Sequence, residues 1–438
     1  MNKILYFYIF GTTIPILVFI FEKNLPFEIL DDLTYFANEI KIASYSGLIS
    51  SGLIILFGFI ILKFNLKDKK YDFLVKINSK SFLYLTIYSF FRFFNSLFIY
   101  INYKGLSRFE IQFIELNIIN SLPDLLTQII NSLFPLISTI IFSAILSFDR
   151  FNQTSRNPKA KKLILIFLFI LLISSSILFD LTRSSRGNIT LTAASIIIAF
   201  LLTFKKRTNI LSKNSIITLL LFSSISIAFL GNTYYRTYKV FQQDITINSK
   251  EVIQNIGVIK LIHDSTIAKA IGGQLITNKA INGELLLTTS FPNNFNESSY
   301  IENQTYLRDD YCKKYDCLHL FQPVYKFIKL FGYSKKGESI YTILNERFPF
   351  NSSSHLGSLF LSFNRYIAPL IYLFLLLLNI IFVRSRSPYF QFASIFNILF
   401  FSILAFTDNW LVTLYPYITI FSIQYAKFFN IKIIRLKN

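Results

Sequence analysis

The chain has 438 residues, 53% of them hydrophobic, and a formal net charge of +20. A mean hydropathy of +0.49 excludes an ordinary water-soluble protein of two or three domains and points to a bilayer as the apolar solvent. The charge does not read as the footprint of a nucleic-acid binder, because lysine and arginine gather in short segments between apolar runs, where they orient a membrane protein. The joint excess of Phe, Ile, Asn, Lys and Tyr is also the mark of a codon-composition bias, so part of the basicity carries no functional meaning.

Apolar runs of about 16 to 23 residues recur, the length that carries a helix across a hydrocarbon core. They predict ten membrane-crossing helices, at 4–21, 45–64, 81–103, 128–148, 163–181, 189–204, 215–230, 366–383, 389–406 and 411–428. The first, "ILYFYIFGTTIPILVFIF", has no small-residue cleavage site after it and reads as an uncleaved span. The stretch 112–127, "QFIELNIINSLPDLLT", is intermediate in hydropathy and reads as an interfacial or re-entrant piece. Arg92, in "IYSFFRFFNSLF", falls near mid-span. An unpaired arginine there costs roughly 2.5–3.5 kcal/mol, so it is expected to face protein or a water cavity and to find a carboxylate. Asp180 and Asp408 lie near helix ends, and a structural salt bridge is the expected role for these charges.

The connections "NLKDKKYDFLVKINSK", "DRFNQTSRNPKAKK", "KKRTNILSKN" and "RSRSP", with the tail "KFFNIKIIRLKN", are rich in Lys and Arg and are alternate connections in the ten-span count, so all fall on one side. The positive-inside rule then places both termini in the cytoplasm. The expected fold is an all-α polytopic membrane protein with about ten transmembrane helices and one large periplasmic loop domain. Its divisions are a bundle at 1–230, the loop at 231–365, and the last helices with a cytoplasmic tail at 366–438. Residues 231–365 are too many for a connector, and "VIQNIGVIKLIH" and "PVYKFIKLFGY" predict helices lying against the membrane or the bundle. Cys312 and Cys317 share this stretch, where a local disulfide and two free thiols are both open. Only His319 is near them, so no zinc site is expected.

No phosphate-cradling Gly-rich loop, GxSxG, HExxH or D-x-D pair occurs. The three histidines, His263, His319 and His355, are irregularly spaced in the large loop, and no metal or other cofactor is expected. What remains is arginine on the outward side. "DLTRSSRGNITL" carries Arg183 and Arg186 in a short turn, against the usual charge bias. It reads either as a solvated turn or as a binding site for an anionic group. "GNTYYRTYKVF" adds Tyr235 and Arg236, and "LNERFPFNSSSHLGSLFLSFNRYIAPL" adds Arg347, His355 and Arg365. Guanidinium groups suit phosphate oxygens. Beside lipid, such a cluster suits a lipid-linked diphosphate, whose charge grows as its glycosidic bond breaks and which fixed cations stabilise without a metal.

At "TRSSRGNITLTAASIIIAF", the "YYR" segment and "FPFNSSSHLGSLFLSFNRYIAPLIYLFLLLLN", the chain resembles the oligosaccharide repeat-unit polymerases of bacterial O-antigen and capsule synthesis. The resemblance implies a bacterial inner-membrane glycosyltransferase that needs no metal. It would join repeat units linked to undecaprenyl diphosphate on the periplasmic face. It implies that Arg183, Arg186 and Arg236 hold the diphosphate of the donor, that Tyr235 also binds substrate, that Arg347 or Arg365 holds the acceptor lipid or an acidic sugar, and that His355 acts on the acceptor hydroxyl. Catalysis then falls to His355 and Arg186, with membrane lipid and a chain-length regulator protein as partners. Three alternatives share the architecture: an O-antigen ligase, another polyprenyl-phosphate-sugar glycosyltransferase with Asp31 or Asp32 of "EILDDLTYF" as base, and a non-enzymatic flippase. Asp31 and Asp32 also read as a helix start, and no internal repeat of the transporter kind is visible.

Overall fold

The computed structural model describes residues 4–6, 8–9, 45–66, 71–103, 122–151, 158–182, 187–203, 220–221, 223–232, 235, 280–291, 300–307, 309–310, 313, 355–363, 366–403, 415–424 and 431–436. Every described residue inside the ten predicted runs is helical except Tyr366, which caps the helix that begins at Ile367. The helices are α1 (Tyr45–Leu66), α2 (Ser79–Tyr103), α3 (Leu122–Phe151), α4 (Pro158–Thr182), α5 (Gly187–Thr203), α6 (His355–Ser362), α7 (Ile367–Val383), α8 (Pro388–Ile403) and α9 (Tyr415–Gln424). Among the described residues, two stretches, Lys80–Tyr103 and Lys159–Thr182, are long and apolar enough to cross a membrane by length and composition.

Polarity on α2 runs opposite to that of a helix at a water-facing surface. Ser81, Ser89, Arg92 and Ser96 are buried against the other helices, while Leu83, Ile87, Phe91, Phe94, Phe98 and Ile101 are exposed at spacings of three and four residues. A soluble amphipathic helix turns its apolar stripe inward. A hydrocarbon solvent selects the reverse, since polar groups there must find partners inside the protein. α4 follows the same rule: Leu163, Ile164, Phe167 and Ile170 face out, and Ser175, Ser176 and Asp180 face in.

Small residues bring α3 and α5 close together. Ser195 Oγ donates to the Pro135 carbonyl at 3.0 Å, and Thr139 Oγ1 donates to that same carbonyl at 2.8 Å and lies 3.4 Å from the Ser195 carbonyl. Pro135 sits inside α3, and its carbonyl accepts from hydroxyls of both helices at this crossing. Gly58 of α1 makes a different close approach. A Cβ there would stand 2.2 Å from the Tyr8 hydroxyl, which is itself 2.7 Å from that of Tyr372 on α7.

The expectation of an all-α chain needs correction, because two pairs of strands are present. β1 (Phe73–Ile77), within the basic connection after α1, pairs antiparallel with β4 (Ile431–Arg435), within the expected tail. The cause is period-two alternation: Phe73, Val75, Ile431 and Ile433 turn into the core, and Lys432 stays exposed. Val75 N donates to Ser147 Oγ of α3 at 3.2 Å, and Tyr389 of α8 donates to the Ile431 carbonyl at 3.0 Å. Burial raises the Tyr71 phenol to about 12, with the Arg435 and Arg384 charges pulling it partway back, so it stays neutral beside the Arg435 guanidinium. β2 (Glu284–Phe291) and β3 (Tyr300–Leu307) pair antiparallel inside the long loop, between the two stretches for which helices were expected. The two stretches quoted for those helices lie outside the described residues.

Two other expectations shift. Residues 122–127, read as part of an interfacial piece, are the first turns of the 30-residue helix α3, and 112–121 lie outside the described residues. Within the span read as loop, α6 packs with Ala280 and Ile281 against Ala368 and Leu375 of α7.

Candidate functional site

The best-defined polar cluster lies where α2, α3, α4 and α5 meet. Arg92 is 1% exposed, and its guanidinium stands 3.7 Å over the Phe134 ring. It donates from Nε to Ser175 Oγ at 3.2 Å, from Nη1 to Asn131 Oδ1, and from Nη2 to Asn188 Oδ1 at 2.9 Å. One turn earlier on α2, the Tyr88 hydroxyl donates to the Ile130 carbonyl at 2.8 Å. The carboxylate expected for Arg92 is present one side chain further away. Asn188 Nδ2 donates to Asp180 Oδ1 at 3.2 Å, so a single amide bridges cation and anion. The correction has a simple cause: an asparagine offers an acceptor and a donor at once, and can satisfy both charges where they do not touch.

Asp180 does a second job. Its Oδ1 accepts from Asn188 N at 3.1 Å and its Oδ2 from Ile189 N at 2.8 Å. These N–H groups belong to the first turn of α5, which has no intrahelical partners for them, and a carboxylate is the favoured group at that positive helix end. The carboxylate comes from the last turn of α4, so the two helices are tied together across the four residues that connect them.

Those four residues include Arg183 and Arg186, which lie outside the described residues, as do Arg236, Arg347 and Arg365. Tyr235 is half-buried. His355 is the first residue of α6, whose hydrophobic cluster is separate from the one holding α2, α3, α4 and α5. Asp31, Asp32, Asp408, His263, His319, Cys312 and Cys317 are likewise outside the described residues. Among the described residues no three His, Cys, Asp or Glu side chains gather.

Asn131, Ser175 and Asn188 escaped the sequence reading. Their signal was there: an amide in "QIINSLF", the serine run in "LLISSSILF", and an amide just after "RSSRG" are polar groups inside or at the edge of apolar runs.

The cluster is near one end of the bundle and the strand pair β1–β4 near the other. Asn131 and Ser147, which contact Arg92 and β1 respectively, are sixteen residues apart on α3, or about 24 Å of helix axis. Lys63, Lys80, Lys159, Arg384, Arg386 and Arg435 all accompany the strand end, at the termini of α1, α2, α4 and α7 or in β4. Comparison with known proteins adds no relative: no family model, no curated protein and no solved structure matches the chain.

Proposed function

We propose that the chain is a multi-pass inner-membrane glycosyltransferase of about ten spans that polymerises oligosaccharide repeat units linked to undecaprenyl diphosphate. In this reading both termini are cytoplasmic and residues 231–365 are periplasmic. Support comes from the inverted polarity of α2 and α4, which suits lipid, and from the gathering of basic residues at the strand end, which suits the cytoplasmic side. The observation that carries the reading is the clamp at the opposite end. There Asp180 and Asn188 tie down both flanks of the connection that bears Arg183 and Arg186. Cations meant to receive a diphosphate need such preorganisation.

Arg183, Arg186 and Arg236 hold the diphosphate oxygens of the donor. The bond between the donor's anomeric carbon and the phosphate oxygen breaks, and a new glycosidic bond forms to the acceptor hydroxyl. The lipid diphosphate leaves with the electron pair, and His355 takes the hydroxyl proton. Arg347 or Arg365 holds the acceptor lipid or an acidic sugar, and Tyr235 lines the donor side.

Expression in cells that lack the polymerase tests this. The wild-type chain should restore long glycan ladders, and Arg186→Ala should leave mostly single repeat units, a loss on the order of 10²–10³ in rate. Full ladders with Arg186→Ala would overturn the assignment of that residue.

A further inference from the structure

We infer that Arg92, Asn188 and Asp180 form a positioning triad that holds the start of α5 against α2 and α4. Asn188 is its centre: its Oδ1 accepts from Arg92, while its Nδ2 and its backbone N–H both donate to Asp180. Asn131 of α3 and Ser175 of α4 take the rest of the guanidinium fork, so four helices fix one amide. As glue alone, this arrangement is wasteful. A buried ion pair adds little net stability over a well-packed apolar group, and neutral side chains can tie helices in lipid. The same protein does so elsewhere, where Tyr417 bonds Asn379 and Ser394.

A rigid fork is useful where a neighbouring group must be held to a fraction of an ångström. The group next to Asn188 in the chain is the connection with Arg183 and Arg186. In assigning those arginines as what the triad positions, the inference rests on the function proposed above. Arg92, Asn188 and Asp180 thus act through others and are not themselves placed against substrate.

The test needs a readout apart from polymerisation. Gly187 is exposed, and a Cβ there meets no atom within 4 Å, so Gly187→Cys fits as a probe once Cys312 and Cys317 are replaced by serine. Its labelling by a membrane-impermeant maleimide is followed in intact, outer-membrane-permeabilised cells. Asn188→Leu should speed labelling about ten-fold, the population change expected when a charge-assisted hydrogen bond is lost. Arg92→Lys, which keeps the charge but not the fork, should give a smaller increase, and it carries the test should Asn188→Leu fail to reach the membrane. Unchanged labelling overturns the triad, whatever the ladders do. Faster labelling with full ladders leaves the triad standing and counts against the arginine connection as the donor site. Faster labelling with shortened ladders supports both.

Discussion

Among the described residues, two of the buried polar clusters that join helices are built on different principles. Around Arg92 a full positive charge is offset by Asp180 through an amide, with four helices contributing. Around Tyr417 the groups are neutral: the hydroxyl bonds Asn379 Oδ1 and Ser394 Oγ, joining α7, α8 and α9. Both satisfy their polar atoms away from water, and in lipid either would suffice to hold helices together. The charged cluster also binds backbone N–H groups of a helix start, at Asn188 and Ile189, through Asp180. The lesson is that a costly buried charge in an apolar bundle marks the place where orientation matters more than cohesion.

The comparison can be broken by stability measurements in detergent. Arg92→Leu should have the largest effect, about 3–5 kcal/mol in denaturant or thermal unfolding, because it removes a buried guanidinium and leaves the Asn131, Ser175 and Asn188 groups that accept from it unmatched. A cost no greater than that of a neutral deletion would dissolve the distinction. Gly58→Ala should come next, at about 1–3 kcal/mol, since its Cβ would overlap the Tyr8 hydroxyl. Combining it with Tyr8→Phe removes the overlapping oxygen and should recover part of the loss, which separates a steric cause from an electrostatic one. Tyr417→Phe should cost least, about 0.6 kcal/mol, the usual worth of a neutral interhelical hydrogen bond. Its melting temperature should stay close to that of the wild type, and a drop as large as that of Arg92→Leu would show that the neutral cluster carries more than cohesion.

Much of the helical framework is legible in the sequence because hydropathy is a local property. Runs such as "LILIFLFILLISSSILF" become helix in either an apolar core or a bilayer, and α4 lies where that run stands. Arg92 was also legible as a problem, being a lone charge in an aromatic run. Its solution was not, because Asn131, Ser175 and Asn188 are 39, 83 and 96 residues away along the chain. Strand β1 is a short apolar run, "FLVKI", whose partner "IKIIR" lies about 350 residues on, and nothing local announces the pairing. The predicted arginines are a third case. Their chemistry is readable from residue type, and they lie outside the described residues.

The sequence by itself determined where helices form, which end of the bundle gathers lysine and arginine, and which charge would need a partner inside the protein. Each of these follows from the chemistry of single residues and their immediate neighbours. Only the tertiary structure decided that an asparagine would mediate between Arg92 and Asp180, that Gly58 would make room for Tyr8, and that the chain's last strand would pair with a segment near its beginning. These are contacts between distant parts of one chain, and their geometry exists only once the helices have packed.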